Sequence, residues 1–435
     1  MPIPGKLLFN LLWLLLLIAL PTLYWPEHLI LWWGVLSGCG LLLLLDVLLL
    51  YAVPVPTIER KVPQHLSVGC WQKVKLRLHN PVHRRIRLEI FDHYPTDAEC
   101  EGLPYQLKLP ADGWHELHYR IRPTERGEQH FSGVQLHLYS PLGFWQRDRM
   151  VELPELVRVY PNFTAIAKYV LLATDNRASQ MGIRKRRRRG EGLDFHQLRK
   201  FREGDSLRQI DWKSTARLRR PITREYQDER DQEVIFLLDC GQRMLAKDSE
   251  LSHFDHTLNA MLLLTYIAVR QGDAVGLTSF GGVQRWLKPA KGRGTVNRLL
   301  NALYDLQPTL QVPDYFEAAN TLLARQKKRA LVIILTNLRD QDNEDLIPAV
   351  RTLRRRHLVL LVSLQEQAIL ETLNRPVKKF DDAVRNAATH HYQADRRKAI
   401  EQLHAQGIDS LDVTPESLSV ELINRYLEIK SGGRL

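Results

Sequence analysis

Cysteine is scarce in this sequence, and the little present is scattered. Cys39, Cys70, Cys100 and Cys240 form no C-x-x-C pair. That spacing excludes a disulfide framework and a thiolate zinc site, and reduced thiols point to a cytoplasmic soluble portion. Nucleotide-binding and hydrolase signatures are missing too. Lys291-Gly292-Arg293-Gly294-Thr295 has the glycines of a phosphate loop without the lysine that reaches phosphate. There is no H-E-x-x-H zinc motif and no G-x-S-x-G nucleophile elbow, and His390-His391 has no matching ligand cluster. The chain reads as non-enzymatic, with no catalytic residue and no cofactor assigned.

Acidic residues are also in deficit: 49 Asp and Glu against 61 Lys and Arg give a net charge of +12. With 44% hydrophobic and 25% charged residues the composition is that of a folded protein. At 435 residues the chain is too long for one core, so two soluble domains beside any membrane part are expected.

Two long apolar runs open the chain. Residues 7–25 are interrupted only by Asn10, Pro21 and Thr22, and residues 29–53 carry one charge, Asp46. About 20 apolar residues cross the hydrocarbon core as a helix. With only Pro26-Glu27-His28 between them, the runs predict a transmembrane helical hairpin over 1–56, flanked by Trp25, Trp32, Trp33 and Tyr51 as interfacial anchors. Lys6 precedes the first run, Arg60 and Lys61 follow the second, and the connecting loop has no Lys or Arg. The positive-inside bias therefore puts both ends in the cytoplasm of a multi-pass inner-membrane protein. No small-x-small site follows the first run, which argues against a cleaved signal peptide. Asp46 reads either as an intramembrane carboxylate or as a headgroup-level residue just past a span ending at Leu45; the second is favoured.

Residues 57–162 show short alternating segments, as at 74–78, 86–90 and 134–138. Turn chemistry separates them at Asn80-Pro81, Ala111-Asp112-Gly113 and Glu125-Arg126-Gly127. Period-two strands at this spacing predict an Ig-like β-sandwich, with its dispersed histidines on strand surfaces. Residues 163–232 form a basic segment, helical over 161–176 and then strongly charged. From Arg177 to Arg230 there are 17 Lys and Arg against 8 Asp and Glu, a net +9, including the unbroken run 184–189. From 233 to 435 strands alternate with helices. Strands are expected at 234–238, 274–280, 285–287, 330–335 and 358–364, with helices at 255–271, 294–306 and 314–327. This pattern predicts a mainly parallel α/β sheet whose ligands would bind at strand C-terminal ends, near Asp239 and Thr336-Asn337.

Particular residues then carry a resemblance. Gly190-Glu191-Gly192-Leu193-Asp194-Phe195, Leu198-Arg199, Gly204-Asp205, Arg208, Ile210-Asp211-Trp212-Lys213 and Ala216-Arg217 resemble the signature of the bacterial domain of unknown function 58 family. Ser140-Pro141-Leu142-Gly143, Val159-Tyr160-Pro161, Gly407-Ile408-Asp409 and Pro415-Glu416 are similar to its flanking regions. The resemblance implies a membrane-anchored protein with a von Willebrand factor A-like (Rossmann-type) domain over 233–435. It also implies a MoxR-type AAA+ ATPase as partner, in the assembly or maturation of client proteins.

Such domains usually hold a divalent cation at the sheet end through D-x-S-x-S, a later Thr and a later Asp. The matching stretch here is Asp239-Cys240-Gly241-Gln242-Arg243, with Asn337 at the later carboxylate and Thr295 as the candidate threonine. Asp239 and Thr295 are thus the candidate metal ligands, for an ion such as Mg²⁺. Arg243 places a permanent positive charge where the cation would sit, so an Asp239–Arg243 ion pair is the expected arrangement.

Glu191, Asp194, Asp205 and Asp211 read as turn caps and arginine partners rather than catalytic acids, and Trp212 as a packing anchor. The basic run is compatible with a solvated stretch, with anionic membrane lipid, or with an acidic protein partner. No base-reading motif or stacking platform accompanies it, so no specific nucleic acid is expected. The expected partner-binding residues are Arg184, Arg186, Arg187, Arg188, Arg189, Asp205, Arg208, Asp211, Trp212, Lys213 and Arg217. The expected role is a membrane-anchored scaffold that recruits the ATPase and an unidentified client at the cytoplasmic face. The alternative is a metal-dependent binding or hydrolytic protein that uses Asp239.

Overall fold

A computed structural model of the chain describes residues 2–23, 25, 28–162, 194–202, 207–227, 232–248, 251–339 and 343–432. The chain divides into two compact units, Met1–Tyr160 and Pro161–Leu435. The expected helix at 161–176, the run Arg184 to Arg189, and Asp205 lie outside the described residues.

Unit 1 opens with strand β1 (Pro2–Pro4) and helix α1 (Lys6–Ala19), closed by a 3-10 turn (Leu20–Leu23), and continues into α2 (Leu29–Tyr51). Among the described helices, α2 alone is long and apolar enough to cross a membrane. Its 23 residues rise about 34 Å against a hydrocarbon core of about 30 Å. The first apolar run is split between α1, which rises only about 21 Å, and the 3-10 turn. Of the two expected spans, α2 is the one whose length and apolarity are seen among the described helices.

Strands β2 (Thr57–Lys61), β3 (His65–Ser67), β4 (Gln72–His79), β5 (Ile86–Asp92), β6 (Ala98–Glu101), β7 (Tyr105–Leu109), β8 (Trp114–Pro123), β9 (Gly127–Tyr139) and β10 (Trp145–Tyr160) build two sheets. One runs β1-β10-β9-β5-β7, with β3 also on β10; the other runs β2-β4-β8-β6. Pairing is antiparallel except between β3 and β10. The alternation read from the sequence is the burial pattern: Val74, Leu76 and Leu78 of β4 and Ile86, Leu88 and Ile90 of β5 are buried, with more exposed residues between. At the Asn80 turn the side-chain amide donates to the carbonyls of Arg84 and Pro110, joining two turns.

Two charges in unit 1 differ from expectation. Arg60 is buried rather than flanking the membrane: its Nε donates to Asp92 Oδ2 at 3.0 Å and its guanidinium lies 4.7 Å from the Phe131 ring centroid. Asp46 is buried as well. Helix α2 runs on past it to Tyr51, and its carboxylate accepts from Ser140 Oγ at 2.6 Å and Leu142 N at 3.0 Å. A carboxylate so satisfied leaves no uncompensated charge near the end of the helix.

Unit 2 starts with β11 (Asp194–Lys200), a 3-10 turn (Leu207–Gln209) to which Arg208 belongs, α3 (Trp212–Leu218) and β12 (Ile222–Gln227); β11 and β12 pair antiparallel. Then follow β13 (Glu233–Asp239), the short pair β14 (Lys247–Asp248) and β15 (Leu251–Ser252), α4 (His253–Arg270), β16 (Ala274–Phe280), β17 (Trp286–Ala290), α5 (Gly294–Leu303), α6 (Tyr315–Arg325), β18 (Leu331–Thr336), α7 (Asn343–Arg354), β19 (Leu358–Leu364), α8 (Gln367–Asn374), α9 (Phe380–Ala405), β20 (Asp409–Val413) and α10 (Pro415–Ser431).

The six-stranded sheet runs β17-β16-β13-β18-β19-β20, parallel except for β17. Alternate residues of β13 serve opposite faces. Val234, Phe236 and Leu238 pack with α4 and α10, while Ile235 and Leu237 pack with α6 and α7. Burial on both faces is why these strands read as continuous apolar runs. Strand order reverses between β13 and β18, which puts a crevice beyond their C-terminal ends, at Asp239 and Thr336.

Candidate functional site

Asp239 closes β13 at that reversal and is fully buried. Its Oδ1 accepts from the Gly241 N–H and its Oδ2 from Thr336 Oγ1, each at 2.7 Å. Thr336 in turn bonds Tyr315 Oη at 2.9 Å, so the end of β13 is tied to β18 and α6. Burial pushes the Asp239 carboxyl up to about 6, against the pull of the Thr336 and Gly241 donors and of the Arg243 charge. The expected Asp239–Arg243 ion pair is therefore replaced by two neutral donors, with Arg243 acting on the carboxylate through its field.

Thr295 stands at the wrong end of the sheet. Because β17 runs antiparallel, Ala290 lies opposite Val275 near the start of β16, whereas Phe280 at the end of β16 lies beside Asp239. Roughly 16 Å of strand separates the two levels, and the Thr295 hydroxyl donates locally to the Ala290 carbonyl. Besides Thr336, Thr309 reaches the crevice: its N–H donates to Cys240 O and its hydroxyl to Gly281 O, both at 2.7 Å. Nothing in the spacing distinguished it from Thr295.

The donor set does not fit a divalent cation. A Cβ on Gly241 would lie 2.9 Å from Gln311 O and from Pro313 Cδ, so a serine there has no room. Both carboxylate oxygens of Asp239 are already engaged, and a hard ion needs several free oxygens around it. Among the described residues no group of three or more His, Cys, Asp or Glu is placed to hold a metal.

Next to Asp239 lies a polar chain that the sequence did not reveal. Arg396 of α9 donates to Leu338 O, Ser363 Oγ, Leu364 O, both oxygens of Asp412 and, at 3.3 Å, Asn337 Oδ1. Asn337 Nδ2 faces His253 Nδ1 and Glu366 Oε1, each at 3.3 Å. With Nδ1 accepting, His253 carries its proton on Nε2 and donates to Asp248 at 2.7 Å. Asp248 also accepts from the Gln367 N–H at the start of α8. The guanidinium is fully committed, so it locks α9 across the ends of β18, β19 and β20. Beside it a cavity of ≈ 180 Å³ is lined by Glu366, Ile369, Tyr392, Arg396 and Ile400.

The α3 segment behaves in the opposite way. Asp211, expected to contact a partner, is spent internally: it caps α3 through Ser214 N at 2.9 Å and pairs with Arg224 Nε at 2.7 Å. Those two contacts, the Ser214 N–H first, hold its carboxyl below the usual range. Trp212 is not a packing anchor, being 70% exposed. Leu207 and Leu218 are exposed with it, as are Lys213, Arg217, Arg219 and Arg220.

Residues 197–401 match the family described as "Protein of unknown function DUF58". The uncharacterized protein YeaD of Bacillus subtilis (strain 168) is 22% identical over 173 residues, 38% of this chain and 39% of that protein. The chain thus spans about two fifths of the length of that relative. Salmonella alpha-2-macroglobulin reacted with methylamine overlaps at a TM-score of 0.20 with 18% identity, over 24% of this chain and 7% of that one. The cupredoxin domain of amoB from Nitrosocaldus yellowstonii overlaps at 0.18 with 14% identity, over 24% and 84%. Neither overlap is close enough to bear on the fold. Over residues 197–401, then, this chain carries a DUF58 family domain.

Proposed function

We propose that this protein is a membrane-anchored scaffold that recruits a MoxR-type AAA+ ATPase, with client proteins, to the cytoplasmic face of the cell membrane. In this reading α1 and α2 cross as a hairpin, unit 1 is an Ig-like β-sandwich, and the six-stranded sheet is a von Willebrand factor A-like domain with a degenerate cation site. The observation that carries the reading is Trp212, a large aromatic left 70% exposed among Lys213, Arg217, Arg219 and Arg220. Tryptophan and arginine dominate interface energetics, and an acidic patch on a partner complements that charge. The apolar α2 supplies the tether.

The test is affinity capture of the full chain from native membranes, wild type beside Trp212→Ala. An AAA+ ATPase is expected to co-purify with the wild type and to be depleted from the variant. Equal capture by both would remove the role given to the α3 segment.

A further inference from the structure

Three arginines from distant parts of unit 1 meet around the end of α2, Lys6 is exposed beside the neighbouring turn, and among the described residues none of the four is paired with a carboxylate. Arg84 places Nη2 3.1 Å from Leu49 O, in the last turn of α2. Arg87 places Nη2 3.3 Å from Pro141 O, in the turn that holds Asp46. Arg147 lies 4.5 Å over the ring of Tyr51, the last residue of α2. Lys6 is exposed at the start of α1, next to Gly5, whose N–H donates to Phe144 O at 2.7 Å. A guanidinium has five N–H donors, so each arginine keeps most of its fork for another acceptor. The carboxylate inside the turn, Asp46, is buried and occupied by Ser140 and Leu142, and does not neutralise the collar.

Apolar surface accompanies the charge. Leu142 at the tip of the turn is 44% exposed and Tyr51 48% exposed, and both continue the uncovered apolar flank of α2. Trp145 is hung on the helix by Nε1, which donates to Leu43 O at 3.2 Å. An apolar span ringed at one end by aromatics and unpaired arginines has the chemistry of a bilayer interface.

We propose that Lys6, Arg84, Arg87 and Arg147 form a collar that binds the phosphate headgroups of anionic phospholipid and seats unit 1 on the membrane. The inference rests on the reading that α2 crosses the membrane. It also supplies the positive charge at the cytoplasmic end of α2 that Arg60, buried against Asp92, does not.

The test uses the full chain in nanodiscs of phosphatidylcholine mixed with phosphatidylglycerol, with the lipids retained after release identified by native mass spectrometry. A basic residue near an anionic surface is worth roughly a fivefold preference, so three give on the order of a hundredfold. Phosphatidylglycerol is expected to be enriched by the wild type and by R84K/R87K/R147K, and to keep no more than the roughly fivefold share of Lys6 in R84Q/R87Q/R147Q. Full retention by the glutamine triple, or loss in the lysine triple, would overturn the collar, since the preference would not then follow charge. Alkaline extraction of native membranes separates the two levels. A chain released by carbonate overturns the crossing and the collar together, whereas a chain that stays embedded without lipid preference overturns the collar alone.

Discussion

The sheet-end crevice and the α3 segment lie in the same unit and handle their polar groups in opposite ways. At the crevice Asp239, Thr336, Asn337, His253, Asp248 and Arg396 are buried and bonded to one another. At α3 Asp211 and Thr215 are used internally, and Trp212, Lys213 and Arg217 face outward. The first arrangement fixes a fold, and the second leaves interaction energy for a partner. Chemistry-bearing residue types are thus a poor guide to function when their partners lie within the chain.

The largest expected effect is at the crevice. Arg396→Ala leaves Asp412 without its cation and strips donors from Leu338 O, Ser363 and Leu364 O. Breaking one partner of a buried pair costs about 3–5 kcal/mol, so denaturant unfolding should show a loss of that size; a loss under about 1 kcal/mol would mean the lock is not one. Trp212→Ala should act in the reverse sense. As an exposed substitution it should change stability by no more than about 0.5 kcal/mol, while partner affinity falls by about 2 kcal/mol or more, near thirtyfold. A thermal melt beside the binding titration reads both numbers.

Asp239 gives a smaller, pH-dependent effect. Its folded carboxyl sits at about 6, above the unfolded value, so the folded state takes up the proton first. The charged form is disfavoured above about pH 6, and stability from this group rises as pH falls through that value towards the ordinary carboxylate range. Between about pH 7 and pH 5 the wild type should gain about 1 kcal/mol relative to Asp239→Asn. A difference between the two that does not vary with pH would contradict the burial argument. The smallest expected effect is none: millimolar Mg²⁺ should leave the melting temperature of the full chain in detergent unchanged. A rise that vanishes in Asp239→Ala would restore the metal reading.

What the sequence revealed follows from burial. Strands β13, β18 and β19 are covered on both faces and read as mainly apolar runs. β20, Asp-Ser-Leu-Asp-Val, is a half-buried edge strand without such a run, and it was missed. So was α9, whose exposed Phe380 and Val384 and many charges give it no apolar stripe. The site was legible only in part. Asp239 and Asn337 stood at strand ends, where the apolar runs stop. Thr295 was misplaced because an antiparallel β17 carries the chain back to the opposite end. Asp46 and Ser140 are 94 residues apart, and no local pattern joins them.

A photo-crosslinking amino acid placed at position 212, and separately at position 312, tests the comparison most directly. Val312 is also 70% exposed, but it borders the crevice. In native membranes the 212 derivative is expected to crosslink an AAA+ ATPase and the 312 derivative is not. Crosslinking of the ATPase from 312 alone would place recruitment at the crevice and contradict the account given for α3.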